Sequence, residues 1–120
     1  DAMEGERNLQ GFLKAYLALA SYYLVEPELE MNYGYCDFFL LPDKKRYPDI
    51  GHSYILELKY AGRTTTDTEL ETQAEEGRRQ LLQYSKDKIA LQLAKDTTLH
   101  LILLQFRGWD LVKCEEIACC

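Results

Sequence analysis

Residues 99–106 form a nearly continuous apolar run, and this run restricts the folds that are open to the chain. A strand that is apolar on both sides needs cover on both faces of its sheet. A long helix-forming segment precedes the run, and a strand–helix–strand connection places its two strands parallel to each other. The run therefore predicts a mixed sheet flanked by helices, which is an α/β architecture.

The remaining segments extend this prediction to the order α-β-β-β-α-β-β, in a chain of 120 residues that suits one domain over residues 1–120. Apolar residues at three- and four-residue steps predict a first helix over residues 4–24. Residues 42–51 are polar and contain prolines and a glycine, which favours a loop. The predicted strands cover residues 28–33, 35–41, 53–60, 99–106 and 109–114.

The second predicted helix runs without a break from Asp67 to the low nineties. Thr66, Asp67 and Thr68 are candidate N-caps, and carboxylates follow in the first turn at Glu69 and Glu71, where the helix dipole favours them. The residues expected on its buried side are Leu70, Ala74, Gly77, Leu81, Tyr84 or Ile89, and Leu91.

The net charge of −6 and the pI near 4.9 argue against a free-standing nucleic-acid-binding protein, because neutralising phosphates requires Lys and Arg. Lys44, Lys45, Arg46 and Arg63 are the few basic candidates, and a solvated loop is their commoner explanation. A metal site concentrates carboxylates, however, and a partner domain can supply affinity. Nucleic acid therefore stays open as a partner.

Cysteine, histidine and apolar patterns favour a cytoplasmic protein with no membrane association. The four cysteines form no CxxC pair, and reduced thiols explain them best. The two histidines have no partner that the sequence indicates, and His100 is expected to pack in a strand rather than to bind a ligand. No apolar stretch is long enough to span a bilayer. Residues 1–3 suggest either a remnant of an expression vector or the cut edge of a longer protein.

The strand predicted over residues 53–60 carries the residues that indicate chemistry. Side chains alternate across a strand, so Ile55, Glu57 and Lys59 share one face. A carboxylate and an ammonium thus lie side by side in a strongly apolar segment, which is costly unless the charges are paired or bind a metal. A surface ion pair is the alternative explanation for Glu-x-Lys.

The preceding strand offers Asp37 as a partner for Glu57. A hairpin that is symmetric about residue 47 places these residues opposite each other, with Cβ atoms about 4.5–5.5 Å apart. Two carboxylates this close repel each other, and Mg²⁺ or Mn²⁺ between them removes the repulsion. Such an ion can polarise a phosphoryl oxygen and lower the pKa of a bound water, which Lys59 can orient.

A second acidic candidate lies in the loop, where Pro48 and Asp49 precede Glu57. Asp49 is eight residues before Glu57. An extended chain of this length spans over about 20 Å, so the two carboxylates are not expected to meet. Asp43 has the same difficulty, and Asp37 is preferred to both.

Residues 34–40 (GYCDFFL) and 54–59 (YILELK) resemble the PD-(D/E)XK nuclease superfamily. The element order is similar to its αβββαβ core, the restriction-endonuclease-like fold, over nearly the whole chain. More narrowly, the chain resembles the C-terminal nuclease-like domain of bacterial proteins that carry an AAA-type ATPase domain in front. The resemblance implies that the chain is excised from such a protein, with the ATPase domain as its partner.

The resemblance also implies site residues. Asp37 and Glu57 would be ligands of Mg²⁺ or Mn²⁺ and Lys59 the catalytic lysine of a nuclease that acts on nucleic acid, with DNA favoured over RNA. Glu6 matches a further glutamate that the superfamily often places on the first helix. A glutamate that only stabilises the helix dipole is an equally good explanation.

Gln80 and Tyr84 match a Gln-x-x-x-Tyr pattern that some members carry on the helix after the lysine strand. Their four-residue spacing places them on one helix face. A solvated glutamine and a core tyrosine are the alternative.

Two function classes follow: a metal-dependent nuclease, and a catalytically silent binding or regulatory module attached to an AAA-type ATPase. The segment contains no P-loop, so it is not itself the ATPase. Metal binding separates the two classes.

Overall fold

A computed structural model of the chain describes residue 5, residues 23–31 and residues 34–118. Within these residues, five strands form one sheet in the order β1-β2-β3-β4-β5. The strands are β1 (Tyr23–Met31), β2 (Gly34–Pro42), β3 (His52–Ala61), β4 (Thr98–Arg107) and β5 (Asp110–Ile117). β3 and β4 run parallel, and the other neighbouring pairs run antiparallel. The predicted mixed sheet and its parallel pair are confirmed.

The first strand begins earlier than predicted. β1 starts at Tyr23, so residues 23 and 24 are strand and not helix, and residues 25–27 are strand and not a connection. Aromatic and β-branched residues such as Tyr23 and Val25 favour a strand. Pro27 is tolerated because β1 is an edge strand, where proline is permitted. Residues 6–22, which hold most of the predicted first helix, lie outside the described residues.

Two helices follow β3 where one was predicted. They are α1 (Asp67–Tyr84) and α2 (Lys88–Leu93). The chain breaks between them because the Asp87 carboxylate accepts a hydrogen bond from the Ile89 N–H at 2.8 Å and caps a new helix. Of the predicted alternatives Tyr84 and Ile89, Tyr84 is the buried one. The prediction that Leu91 is buried is wrong, since α2 does not continue the rotation of α1 and the side chains of Ile89 and Leu91 are exposed.

The start and the buried side of α1 agree with the prediction. The Thr66 hydroxyl accepts a hydrogen bond from the Glu69 N–H at 3.2 Å, and the Glu69 carboxylate accepts one from the Thr66 N–H at 3.1 Å. The backbone hydrogen bond from Thr66 lowers the pKa of Glu69. The buried residues of α1 are Leu70, Ala74, Gly77, Leu81 and Tyr84.

An apolar cluster lies on each face of the sheet. Phe39 and Ile55 belong to the cluster on the α1 side, and Phe38 and Leu56 belong to the cluster on the opposite side. Neighbouring residues of β2 and β3 thus face opposite ways, which confirms the predicted alternation. The α1-side cluster comprises Phe39, Ile55, Ala74, Leu81, Tyr84, Ala90, Ala94, Leu101 and Leu103.

A buried amide network fixes the first half of α1 over the second half of β3. Gln105 of β4 is 1% exposed, and its Nε2 donates to the Leu70 carbonyl at 2.7 Å and to Gln73 Oε1 at 2.8 Å. Gln73 Nε2 donates in turn to the Tyr60 carbonyl at 2.9 Å. These bonds offset the cost of burying the amides and connect α1 to both parallel strands.

An ion-pair network joins α1 to the edge strand β5. Arg78 contacts Glu115 with two guanidinium nitrogens, Nε at 3.1 Å and Nη2 at 3.0 Å, and it donates to Glu71 from Nη1 at 3.0 Å. Lys113 also donates to Glu71, at 3.3 Å. Hydrogen bonds from Arg78 are the main cause of the lowered pKa of Glu115 and of Glu71. The hydrogen bonds to Glu115 are in turn the main cause of the raised pKa of Arg78.

We expect Arg78→Met to lower the stability by less than about 1 kcal/mol at neutral pH, because the pairs are partly exposed. A lowered carboxylate pKa means that the unfolded state binds more protons, so the stabilisation is complete above the ordinary glutamate value of 4.5 and is lost as pH falls below it. Thermal melts between pH 7 and pH 3 should show the difference between wild type and variant shrinking in acid. A difference that stays constant would contradict this assignment.

Cys114, on β5, is an exposed free thiol. None of the helices in the described part of the chain is long and apolar enough to cross a membrane.

Candidate active site

Glu57 and Lys59 lie in the second half of β3, on the face that α1 covers. Glu57 is 5% exposed, and its Oε2 lies 3.7 Å from Lys59 Nζ. The side chain of Lys59 is also largely covered, with 15% exposed. The pair is therefore not a surface ion pair, and the cost of its burial must be offset by further partners or by a ligand.

Asp37 lies on β2, in line with Glu57. Phe38 pairs with Leu56, and one further step in the same register places Asp37 opposite Glu57. Asp37 and Phe39 are two residues apart on β2, so they share the face that packs against α1. The hairpin symmetry about residue 47 is thus confirmed by the strand register.

The strands β2 and β3 separate beside these carboxylates. Their ladder ends at Phe38 and Leu56, whereas β3 continues to pair with β4 as far as Ala61. Beyond the last backbone pair, a side chain connects the two strands: Asp37 Oδ2 accepts a hydrogen bond from the Leu58 N–H at 2.7 Å. This bond holds the carboxylate of Asp37 against β3, next to Glu57.

Helix α1 lies directly on the stem of Lys59, and Gly77 makes this approach possible. A Cβ atom at Gly77 would lie 2.7 Å from Leu103 Cδ1 and 3.5 Å from both Cγ and Cε of Lys59. The neighbouring Glu76 places its Oε1 3.9 Å from Lys59 Nζ, with half of its side chain exposed. Sequence reasoning missed this second carboxylate, because only the packing of α1 on β3 brings the two residues together.

Gln80 and Tyr84 follow on later turns of α1. Gln80 is half-buried, and its buried Oε1 accepts no hydrogen bond within the described part of the chain. Tyr84 is 4% exposed and packs in the α1-side cluster with Ile55 and Leu81. Tyr84 thus occupies a core position, which was the alternative explanation for this residue. A role for Gln80 or Tyr84 in the site remains a prediction. Glu6, the predicted additional ligand, lies outside the described residues.

The loop carboxylates occupy the connection between β2 and β3. Asp49 is exposed in a turn that precedes the first residue of β3. Asp43 lies 3.9 Å from Arg46 within the same loop. Neither is placed on β3 beside Glu57 and Lys59.

The donor set of Asp37 and Glu57 fits a hard divalent cation. Mg²⁺ is commonly held by one or two carboxylates and completes its octahedron with water and substrate phosphates. Among the residues that the structure describes, no group of three or more His, Cys, Asp or Glu side chains is arranged to hold a metal ion. Asp37 and Glu57 would be carboxylate ligands of such an ion, and water and substrate oxygens could complete its coordination.

We expect Glu57→Gln to raise the melting temperature in the presence of a chelator. The substitution removes the buried carboxylate of Glu57 from beside the half-buried Asp37, and Lys59 keeps Glu76 as a counter-charge at 3.9 Å. Removing like-charge repulsion and the desolvation of a buried carboxylate favours the folded apo protein, by about 1.4 kcal/mol for each pKa unit that these effects would shift. Calorimetry of both proteins in chelator measures the change, and a clear loss of stability would show that Glu57 and Lys59 form a structural ion pair.

The whole arrangement agrees with one protein family. The model of the PD-(D/E)XK nuclease superfamily matches residues 4–116. No curated protein and no solved structure shows a significant match to this chain. The mixed sheet with its helices is consistent with the restriction-endonuclease-like fold of that superfamily. The family match spans nearly the whole sequence, and the chain therefore belongs to the PD-(D/E)XK nuclease superfamily.

Proposed function

We propose that this domain is a Mg²⁺- or Mn²⁺-dependent nuclease that hydrolyses phosphodiester bonds in nucleic acid, DNA in preference to RNA. One observation carries the proposal: Asp37, Glu57 and Lys59 lie on the same face of β2 and β3, at the point where the two strands separate. Carboxylates that hold a divalent cation, beside a lysine, match the requirements of phosphodiester hydrolysis.

Each side chain has a distinct task in this proposal. Asp37 and Glu57 hold the cation, which supplies Lewis-acid activation of the phosphodiester when it is bound. The ammonium of Lys59 stabilises negative charge as it develops on the phosphoryl oxygens and orients the attacking water. Glu76 and Glu57 keep Lys59 in place by their charge. Gln80, Tyr84 and Glu6 are proposed as additional site residues, with Glu6 as a third ligand.

The domain is further proposed to work in the cytoplasm with an ATPase domain that precedes it in the same bacterial chain. The net charge of −6 supports a division of labour, because an acidic domain attracts phosphate backbones poorly. A neighbouring domain would then provide the affinity for nucleic acid.

The test is a cleavage assay with the purified full-length protein at low salt, on single- and double-stranded DNA and RNA. We expect cleavage of DNA with Mg²⁺ or Mn²⁺, none in chelator, and none with Asp37→Asn. Cleavage that persists in chelator would contradict the proposal. Cleavage by the Asp37→Asn variant in the presence of Mg²⁺ or Mn²⁺ would contradict the assignment of Asp37 as a metal ligand.

The acidic charge also favours a second candidate, a nuclease-fold module that binds or regulates without catalysis. In that case the full-length protein would bind the cation through Asp37 and Glu57 but cleave none of the four substrates. Metal binding combined with the cleavage assay therefore distinguishes the two candidates.

A further inference from the structure

A chain of two histidines and a glutamate lies on the sheet face opposite the candidate active site. His52 Nδ1 is 2.8 Å from His100 Nε2, and His100 Nδ1 is 2.8 Å from Glu116 Oε2. The three residues come from β3, β4 and β5. The expectation that the histidines have no partner is therefore wrong, because the parallel register of β3 and β4 brings together residues that are far apart in the sequence.

The ring of His100 is held in a defined orientation. Tyr54 stacks on it with ring centroids 4.9 Å apart and an interplanar angle of 22°. The Glu116 carboxylate can only accept, so Nδ1 of His100 carries the proton of that hydrogen bond. In the neutral ring, Nε2 then presents its lone pair to His52.

This arrangement is the one that metal-binding histidines use. A ligating imidazole donates its other ring N–H to a carboxylate, which fixes the tautomer and increases the basicity of the ligand nitrogen. Glu116 and His100 already have this relation, and His52 offers a second imidazole nitrogen at the same point. Tetrahedral Zn²⁺–N bonds of about 2.0–2.1 Å place two ligand nitrogens roughly 3.3 Å apart, so the two nitrogens need to separate by about 0.5 Å and the rings to turn until their lone pairs point at the ion.

We propose that His52 and His100 form a binding site for a borderline transition-metal ion such as Zn²⁺. Nδ1 of His52 and Nε2 of His100 are the ligands, and Glu116 orients His100. On binding, His52 carries its proton on Nε2, and water completes the coordination because His52 is exposed. The bound ion links β3 to β4 directly and extends the link to β5 through Glu116.

The site is separate from the carboxylate centre in both position and chemistry. His52 and Glu57 are five residues apart on β3 and point to opposite faces of the sheet. That spacing along a strand corresponds to roughly 16 Å. Imidazole nitrogens favour Zn²⁺, Cu²⁺ and Ni²⁺, whereas the carboxylates of Asp37 and Glu57 favour Mg²⁺ or Mn²⁺. This proposal therefore does not depend on nuclease activity.

The experiment titrates the protein with Zn²⁺ while the imidazole ring signals of both histidines are followed by proton–nitrogen NMR. We expect Nδ1 of His52 and Nε2 of His100 to shift, and Mg²⁺ to leave both rings unchanged. His52→Gln should abolish binding of Zn²⁺ at His100. Glu116→Gln should weaken binding by about 10- to 100-fold, as loss of such a carboxylate does in other sites.

Asp37→Asn is the control that separates the two centres. Zn²⁺ should shift both histidine rings in this variant as it does in wild type. The proposal is overturned if Zn²⁺ shifts neither ring, if His52→Gln binds Zn²⁺ with unchanged affinity, or if Asp37→Asn abolishes the histidine shifts.

Discussion

If the proposed nuclease function holds, replacing Lys59 by methionine should lower the turnover number by about 10²- to 10³-fold, the usual cost of removing one group that stabilises transition-state charge. Methionine retains an apolar side chain against which Gly77 can pack, so the packing of α1 on β3 should be preserved. Affinity for Mn²⁺ should persist, because an ammonium has no lone pair and cannot be a ligand. Single-turnover cleavage assays and calorimetric titration with Mn²⁺ measure the two effects.

Lys113→Met is the matched control for this experiment. Lys113 also forms an ion pair with a glutamate, at 3.3 Å from Glu71, but it lies on β5 away from Asp37 and Glu57. Its substitution should leave turnover unchanged. If Lys59→Met cleaves as fast as wild type, Lys59 is not the catalytic lysine, even though the family assignment stands.

Asp37→Asn should abolish the stabilisation of the domain by divalent cations. A ligand that binds only the folded state stabilises it by about 2.7 kcal/mol at a hundredfold excess over its Kd, so wild type should melt higher in Mn²⁺ than in chelator. Asparagine keeps a side-chain oxygen that can accept the hydrogen bond from the Leu58 N–H. The variant should therefore remain folded and lose the charge that attracts the cation.

Asp49→Asn provides the same substitution at the exposed turn before β3. It should keep the full Mn²⁺-dependent rise in melting temperature. Equal Mn²⁺-dependent rises in melting temperature for wild type and Asp37→Asn would show that the cation binds elsewhere. Loss of the rise in Asp49→Asn would indicate that Asp49 is a metal ligand.

Much of this architecture follows from local pattern. The apolar run of residues 99–106 and the helix before it predicted a parallel pair in a mixed sheet, and β3 and β4 form that pair. The alternation in residues 53–60 predicted which side chains share a face, because the two-residue period of a strand requires no knowledge of its neighbours. The buried side of α1 was predicted from its helical period, and Thr66 was one of three candidate caps predicted from residue type.

Boundaries were predicted less well, because they depend on competition between neighbouring segments. Tyr23 joins β1 although helical periodicity extends to Leu24, since an adjacent strand supplies hydrogen-bond partners. The predicted long helix ends at Tyr84 because the side chain of Asp87 caps a second one. Both boundaries depend on specific hydrogen bonds, which the periodicity of apolar residues does not reveal.

The sequence by itself indicated the register of β2 on β3, because a hairpin that is symmetric about residue 47 aligns Asp37 with Glu57, and the pair Phe38–Leu56 follows this register. Only the tertiary structure decided which residues from distant segments meet. Glu76 reaches Lys59 because Gly77 lets α1 lie close to β3. His52 meets His100 because parallel strands bring together side chains that are 48 residues apart. Such contacts arise from packing between elements, which no local period or motif spacing encodes.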